Sequence, residues 1–102
     1  MTPKELESVA KAIGAMFQCF PQSVLADPDL QVRGYIAAVK NMEAVDVLAA
    51  CQRFIQGDVP EHNRAFCPSS AQLCHEARQR KQMREIMAAR QSKLEIVGGR
   101  DA

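Results

Sequence analysis

The run from Phe66 to Leu73 constrains the fold most, because there a loop closed by a proline turns into the longest helix that the sequence predicts. Ser69 and Gln72 have the spacing of a capping box, in which each side chain accepts a hydrogen bond from the other residue's backbone N–H. Pro68 holds the preceding chain extended, and Phe66 is expected to pull the loop onto the core. We therefore predict that Phe66, Pro68, Ser69, Gln72 and Leu73 form a structural motif that sets the start and register of the last helix.

Two amphipathic helices are predicted at the beginning of the chain. The first runs from about residue 3 to residue 19, since Thr2 followed by Pro3 is a strong helix start and Pro21 ends the apolar pattern. The second begins at Asp27-Pro28, which repeats the signal of a cap followed by a proline, and continues to about Lys40. Residues 21–27 are then the connection between them.

A third helix is predicted from Asn41, as its N-cap, to Gly57, as its C-terminal stop. Apolar residues cover most of its circumference, so we expect it to be the most buried helix, with Leu48 in a packed core position. A narrow polar stripe remains, formed by Glu43, Asp46 and Arg53. Residues 58–67 lack periodicity and are predicted to form a loop, of a length that more often carries function than a shorter one.

The fourth helix is predicted from Ser70 to about Ser92, and its composition changes at Arg78. Core-type residues precede that point, whereas charged residues with scattered methionines follow it. We therefore expect an all-α fold, a small four-helix domain whose last helix is long and basic and extends beyond the core. The predicted division is a helical bundle domain at residues 1–77 and an extended basic helix with a flexible tail at 78–102, frayed from Val97 onward.

Length and composition agree with an ordinary globular domain: 102 residues, 47% of them apolar and 25% charged, with a net charge of +1. Three of the four cysteines lie in apolar helical patterns, and nothing resembles a signal peptide. We expect the cysteines to be reduced and the protein to be cytoplasmic. No apolar run approaches the roughly 18 residues that a membrane-spanning helix needs, so no membrane contact is expected.

Cysteine and histidine residues raise the possibilities of a metal site and of a cysteine nucleophile. Cys74 and His75 are helix neighbours that point about 100° apart, and zinc sites usually combine two short ligand spacings. His62 and Cys67 share a loop, but no third group is evident that would orient the histidine. There is also no glycine-rich phosphate loop, so we expect neither catalytic residues, nor a metal, nor a cofactor.

The basic second half of the last helix is the strongest candidate for function. Its arginines and lysine can bind nucleic acid through phosphate contacts, or they can be the solvated face of an exposed helix. The apolar residues among them can pack locally or bind a partner. The candidate partner-binding residues are Arg78, Arg80, Lys81, Met83, Arg84, Ile86, Met87, Arg90 and Leu94.

Four pieces of the sequence, in this order, resemble the phage replicative helicase loader and inhibitor family. They are Phe20-Pro21 at the end of the first helix, Tyr35 in the second, the run from Val45 to Ala49 in the third, and the run from Phe66 to Leu73. The resemblance covers about residues 5–78. Gln72 stands where an acidic residue is frequent in the family motif.

The resemblance implies a non-enzymatic phage or prophage DNA-replication adaptor with a small helical domain. The region that follows the domain would bind the hexameric replicative DNA helicase, as loader and inhibitor, and would deliver it to an origin complex that can include an origin-binding initiator. Two alternatives stay open: a small DNA-binding accessory or regulatory protein with weak nucleic-acid contacts through the same basic residues, and a phage-encoded inhibitor of a host enzyme.

Overall fold

The computed structural model describes residues 1–21 and 27–101, without the side chains of residues 96–101. Four α-helices occupy this part of the chain: α1 (Pro3–Gln18), α2 (Pro28–Val39), α3 (Ala44–Gln56) and α4 (Ser70–Asp101). The all-α fold class is therefore confirmed. Most of the predicted connection at residues 21–27 lies outside the described residues.

The first two helices begin as their caps predict. The backbone N–H of Thr2 donates to Glu5 Oε1 at 2.8 Å, and the N–H of Glu5 donates to Thr2 Oγ1 at 3.1 Å. The hydrogen bond from the Thr2 backbone lowers the pKa of Glu5, because it favours the charged carboxylate. At α2, Asp27 Oδ1 accepts from the N–H groups of Asp29 and Leu30.

The start of α3 differs from the prediction, because its N-cap is Glu43 and not Asn41. The N–H of Met42 donates to the carbonyl of Val39, so Asn41 lies in the tight turn that joins α2 to α3. The predicted stop at Gly57 is confirmed: its φ of 74° is left-handed, and a Cβ there would lie 2.9 Å from the Nε of Arg64.

The core forms around α3, which packs between α1 and α4, while α2 closes the bundle against the same two helices. Val9, Ile13, Met16, Val39, Val47, Cys51 and Leu73 are among its buried side chains. The predicted core position of Leu48 is wrong, since this side chain is 36% exposed. One residue advances a helix by about 100°, so the residue after buried Val47 turns away from α1 and α4, toward the face that also carries exposed Val45.

The last helix is long and extends beyond the core, as predicted, and the molecule reaches 63 Å in its longest dimension. Every residue from Lys81 to Glu95 is exposed. The backbone stays helical to Asp101, past the predicted end near Ser92 and through the stretch expected to fray. Residues 81–95 are almost all strong helix formers and include no proline, so no local signal ends the helix there.

Candidate partner-binding surface

The predicted motif at the start of α4 is present except for one residue. The N–H of Ser69 donates to Gln72 Oε1 at 2.8 Å, and the N–H of Gln72 donates to Ser69 Oγ at 3.1 Å. Pro68 and Leu73 are fully buried. Phe66, however, is 66% exposed, so the expectation that it pulls the loop onto the core is wrong.

Tyr35, and not Phe66, holds this loop against the bundle. Its hydroxyl donates to the carbonyl of Pro68 at 2.7 Å, and its ring lies edge-on to Phe17, with centroids 4.9 Å apart. Burial raises the pKa of the Tyr35 hydroxyl, and the neighbouring Cys67 adds to the shift. A lone tyrosine on the apolar face of α2 was the available signal, because a buried tyrosine hydroxyl usually finds a partner.

The orientation of α4 is fixed where it leaves the bundle by an ion pair with α3. Arg84 donates from Nε to Asp46 Oδ1 at 3.1 Å and from Nη2 to Asp46 Oδ2 at 3.0 Å. Its Nη2 also lies 2.7 Å from Glu43 Oε2. The Asp46 side chain is only 4% exposed. Hydrogen bonding to Asp46 raises the pKa of Arg84 further above its usual range, so the guanidinium stays charged.

A second ion pair, of reversed polarity, joins the same helices about two turns away. Buried Glu76 of α4 accepts from Arg53 Nε of α3 at 2.6 Å, and Arg53 also donates to the carbonyl of Asp58. The Nε of Arg80 lies 3.0 Å from the same Glu76 oxygen but lacks hydrogen-bond geometry, so this contact is an ion pair only. The two sites together fix the register of α4 on α3.

These ion pairs divide the basic residues of α4 into two groups. Arg80 and Arg84 are held by carboxylates of the chain itself, and Lys81 lies 4.0 Å from Glu85. Among the side chains that the structure describes, no carboxylate lies within ion-pair distance of Arg78, Arg90 or Lys93. The free positive charge therefore lies at both ends of the candidate region and not in the centre of the basic run.

The exposed apolar residues of α4 follow one face of the helix. With about 100° per residue, four apolar side chains and one arginine fall within an arc of about 100°. We call this set the α4 stripe: Met83, Ile86, Met87, Arg90 and Leu94. Its four apolar members are between 46% and 67% exposed, so the structure leaves a hydrophobic face uncovered on the helix.

A groove lies beside the first turns of α4, against the loop that follows α3. It encloses about 580 Å³, and we define it by its apolar floor of Phe54, Val59 and Pro60 and by its α4 wall of Gln72, His75 and Gln79. His62 also lines it, with its ring edge-on to Phe20 at 5.7 Å and to Phe54 at 5.0 Å. Within the described part of the chain, the buried Nε2 of His62 has no hydrogen-bond partner. The length of the loop at residues 58–67 was the available signal for a functional role here. A loop without periodicity does not reveal the shape of a groove, so the groove itself was not predicted.

The cysteines and histidines do not come together as ligands or as a nucleophile with its base. Cys74 is buried and donates from Sγ to the carbonyl of Ala38, whereas His75 is exposed and hydrogen-bonds Gln79. Burial raises the pKa of Cys51 to about 12, which keeps its thiol protonated. In the described part of the chain, no three metal-ligating side chains gather at one point, and no helix combines the length and apolarity that crossing a membrane requires.

Comparisons with known proteins add no further relation. No protein-family model matches this chain, and no match is found among curated proteins or among solved structures. The resemblance to the helicase loader and inhibitor family therefore stays a prediction.

Proposed function

We propose that this protein is a non-enzymatic adaptor that binds a protein partner through the second half of α4, with the bundle as its rigid base. One observation carries this proposal: the α4 stripe is an uncovered apolar face on a helix that the α3–α4 ion pairs hold in a fixed direction. Burying such a face is worth about 25 cal/mol for each Å² of apolar surface. Exposed charge pairs contribute much less.

The distribution of charge favours a protein partner over nucleic acid. A protein that binds the phosphate backbone needs several free cations on one surface. Arg80 and Arg84 already neutralise carboxylates of this chain. The cations left over, Arg78, Arg90 and Lys93, do not form one cluster, because Arg78 lies about 18 Å along the helix from Arg90. The apolar side chains, by contrast, share one face.

The replicative DNA helicase is the first partner to test, because the sequence resembles the helicase loader and inhibitor family. In that role the protein would bind the helicase of a bacterial host during phage or prophage DNA replication. It would then either deliver the helicase to an origin complex, with an origin-binding initiator as a second partner, or hold it inactive. Neither role needs chemistry from this chain.

Binding of the purified host helicase to the full-length protein tests the proposal. Met87→Asp places a charge in the centre of the α4 stripe, and we expect it to weaken binding by at least about tenfold at any salt concentration, the equivalent of about 1.4 kcal/mol. Ala88→Asp is the matched control, since the same charge then lies on the opposite side of the helix and binding should change less than about twofold. Equal losses in both variants, or no binding by the unaltered protein, would contradict the proposal.

A duplex DNA probe separates the nucleic-acid alternative. If the protein binds DNA, affinity should fall steeply with salt and the variant Arg78→Glu should weaken it, whereas Met87→Asp should have little effect. That pattern, found together with no helicase binding, would make the protein a DNA-binding accessory factor instead.

A further inference from the structure

The groove and the α4 stripe lie on one continuous face of the same helix. At about 100° per residue, Gln72 and Gln79 of the groove wall fall in the same arc as Met83 and Arg90. Residues on this face recur every three or four positions from Gln72 to Leu94. At about 1.5 Å per residue they form a track roughly 33 Å long. Beside its first half lies the loop at residues 59–62, which forms the other side of the groove. Its second half, within residues 81–95, is exposed.

We propose that this track binds a single amphipathic helix of the partner, about 20 residues long, with one end in the groove and an acidic residue opposite Arg90. The inference rests on the proposed function and specifies the shape and charge of the partner segment. Phe54, Val59 and Pro60 provide an apolar surface for the end of that helix, and the apolar members of the stripe cover the rest of its length.

Arg90 determines the charge of the occupant. It lies between Ile86 and Leu94 in the stripe, and no described carboxylate of this chain pairs with it. Covering an arginine with an apolar helix would leave its charge desolvated and unpaired, which is strongly unfavourable. An aspartate or glutamate on the partner helix removes this cost and fixes the register of the two helices. Lys93 at the edge of the stripe adds to the attraction.

The positive charge of this face disfavours a second copy of this chain as the occupant. A second copy brings another Arg90 and Lys93 to the interface. Its exposed carboxylates on this part of α4, Glu85 and Glu95, lie more than about 90° around the helix from the centre of the stripe. Glu76 shares the face, but it is buried and already paired with Arg53 and Arg80.

Photo-crosslinking of the full-length protein to the purified host replicative helicase tests the track. Benzoylphenylalanine is placed at Gln79 in the groove, at Leu94 at the far end of the stripe, and at Ala88 on the opposite side of α4 as the control. We expect crosslinks from Gln79 and Leu94 to one contiguous helicase segment of about 20 residues, the length set by the helix rise, and none from Ala88. Thermal melts of each variant confirm that the bundle is folded.

Charge reversal tests the acidic residue independently of the crosslinks. Arg90→Glu should weaken helicase binding at least about tenfold, since like charges then meet at the interface. Arg78→Glu is the same substitution on another face, and it should change binding less than about twofold. An equal effect of both reversals would show that net charge alone matters and would overturn the assignment of Arg90.

Other results of the crosslinking and binding experiments would overturn the track. If Leu94 crosslinks, Gln79 does not and Met87→Asp still weakens binding, then the proposed function stands and the track is wrong. Crosslinks from Gln79 and Leu94 to different helicase segments would equally overturn a single bound helix. Crosslinks between two copies of this chain, with a dimer mass in solution, would assign the face to self-association. If the helicase does not bind at all, the proposed function fails and this inference fails with it.

Discussion

Asp46 and Arg84, 38 residues apart in the sequence, form a bidentate pair of hydrogen bonds at 3.0 and 3.1 Å between the first turn of α3 and the point where α4 leaves the bundle. The carboxylate of Asp46 is buried. The guanidinium of Arg84 also donates to Glu43. A buried charge is tolerated when it is paired and hydrogen-bonded. Arg84 is therefore a structural residue as well as a member of the basic run.

Arg84→Met should destabilise the protein, because it leaves the buried carboxylate of Asp46 without its partner. Arg78→Met removes a guanidinium that has no described ion pair, and it should leave the free energy of unfolding nearly unchanged. The double variant Asp46→Leu with Arg84→Met should recover stability lost in Arg84→Met, since replacing both partners removes the unpaired charge. Denaturant unfolding measures all three. If Arg84→Met is as stable as Arg78→Met, the ion pair does not hold α4.

Two leucines on neighbouring helices provide a test of the packing with the same chemical change. Leu73→Ala should lower the free energy of unfolding by about 2 to 5 kcal/mol, as expected for emptying a fully buried site. Leu48→Ala, at a position of α3 where the side chain is already 36% exposed, should lower it less, by about 1 kcal/mol. Urea unfolding of the two variants decides the matter, and a larger loss for Leu48→Ala would restore the prediction made from the sequence.

The contrast between these leucines shows where sequence reasoning ends for this fold. Proline, glycine and capping signals are local, so Thr2, Asp27, Gly57 and Ser69 placed helix ends correctly. Leu48 was misplaced because α3 has more apolar residues than its two packed sides can cover. Which sides those are depends on the directions of α1 and α4, and these directions follow from contacts distant in sequence.

The candidate site divides in the same way. The change of composition at Arg78 and the apolar spacing of Met83, Ile86 and Met87 are sequence features, and they led to the exposed half of α4. The pairing of Arg84 with Asp46 and the groove beside Gln79 depend on how α4 meets α3 and the loop before it. The polar stripe on α3, which is otherwise apolar, was the sequence signal for the pairing with Arg84. It showed that Asp46 needs a partner, but it did not identify Arg84.

Tyr35 anchors the loop before α4, a role that the sequence analysis predicted for Phe66, and hydrogen exchange can verify this. Tyr35→Phe removes the hydroxyl that bonds Pro68, at an expected cost of about 1 kcal/mol, and should speed amide exchange at residues 70–77. Phe66→Ala should change stability by less than about 0.5 kcal/mol, because the ring is mostly exposed. Faster exchange in Phe66→Ala than in Tyr35→Phe would contradict the observed packing.

The cysteines should differ in reactivity according to their burial. Cys19 is exposed, whereas Cys51 is buried with its pKa raised to about 12. Alkylation with iodoacetamide at pH 8, followed by mass spectrometry, should therefore modify Cys19 well before Cys51.

The raised pKa of Cys51 also makes the stability of the fold depend on pH. Below about pH 9 both states keep the thiol protonated, and above it only the unfolded chain readily loses the proton, so this group destabilises the fold as pH rises toward about 12.

Truncation within α4 separates its structural half from its proposed binding half. The predicted domain boundary at residue 77 lies ahead of Arg80 and Arg84, both of which pair with buried carboxylates. A chain ending at Glu85 keeps these pairs and should melt within a few degrees of the full-length protein, yet lose most of its helicase binding with the stripe beyond Glu85. A chain ending at Ala77 leaves Asp46 without Arg84 and should melt at a clearly lower temperature. If both truncated chains melt together, residues 1–77 suffice for the fold; if the chain ending at Glu85 binds the helicase at full strength, the binding surface lies on the bundle and not on α4.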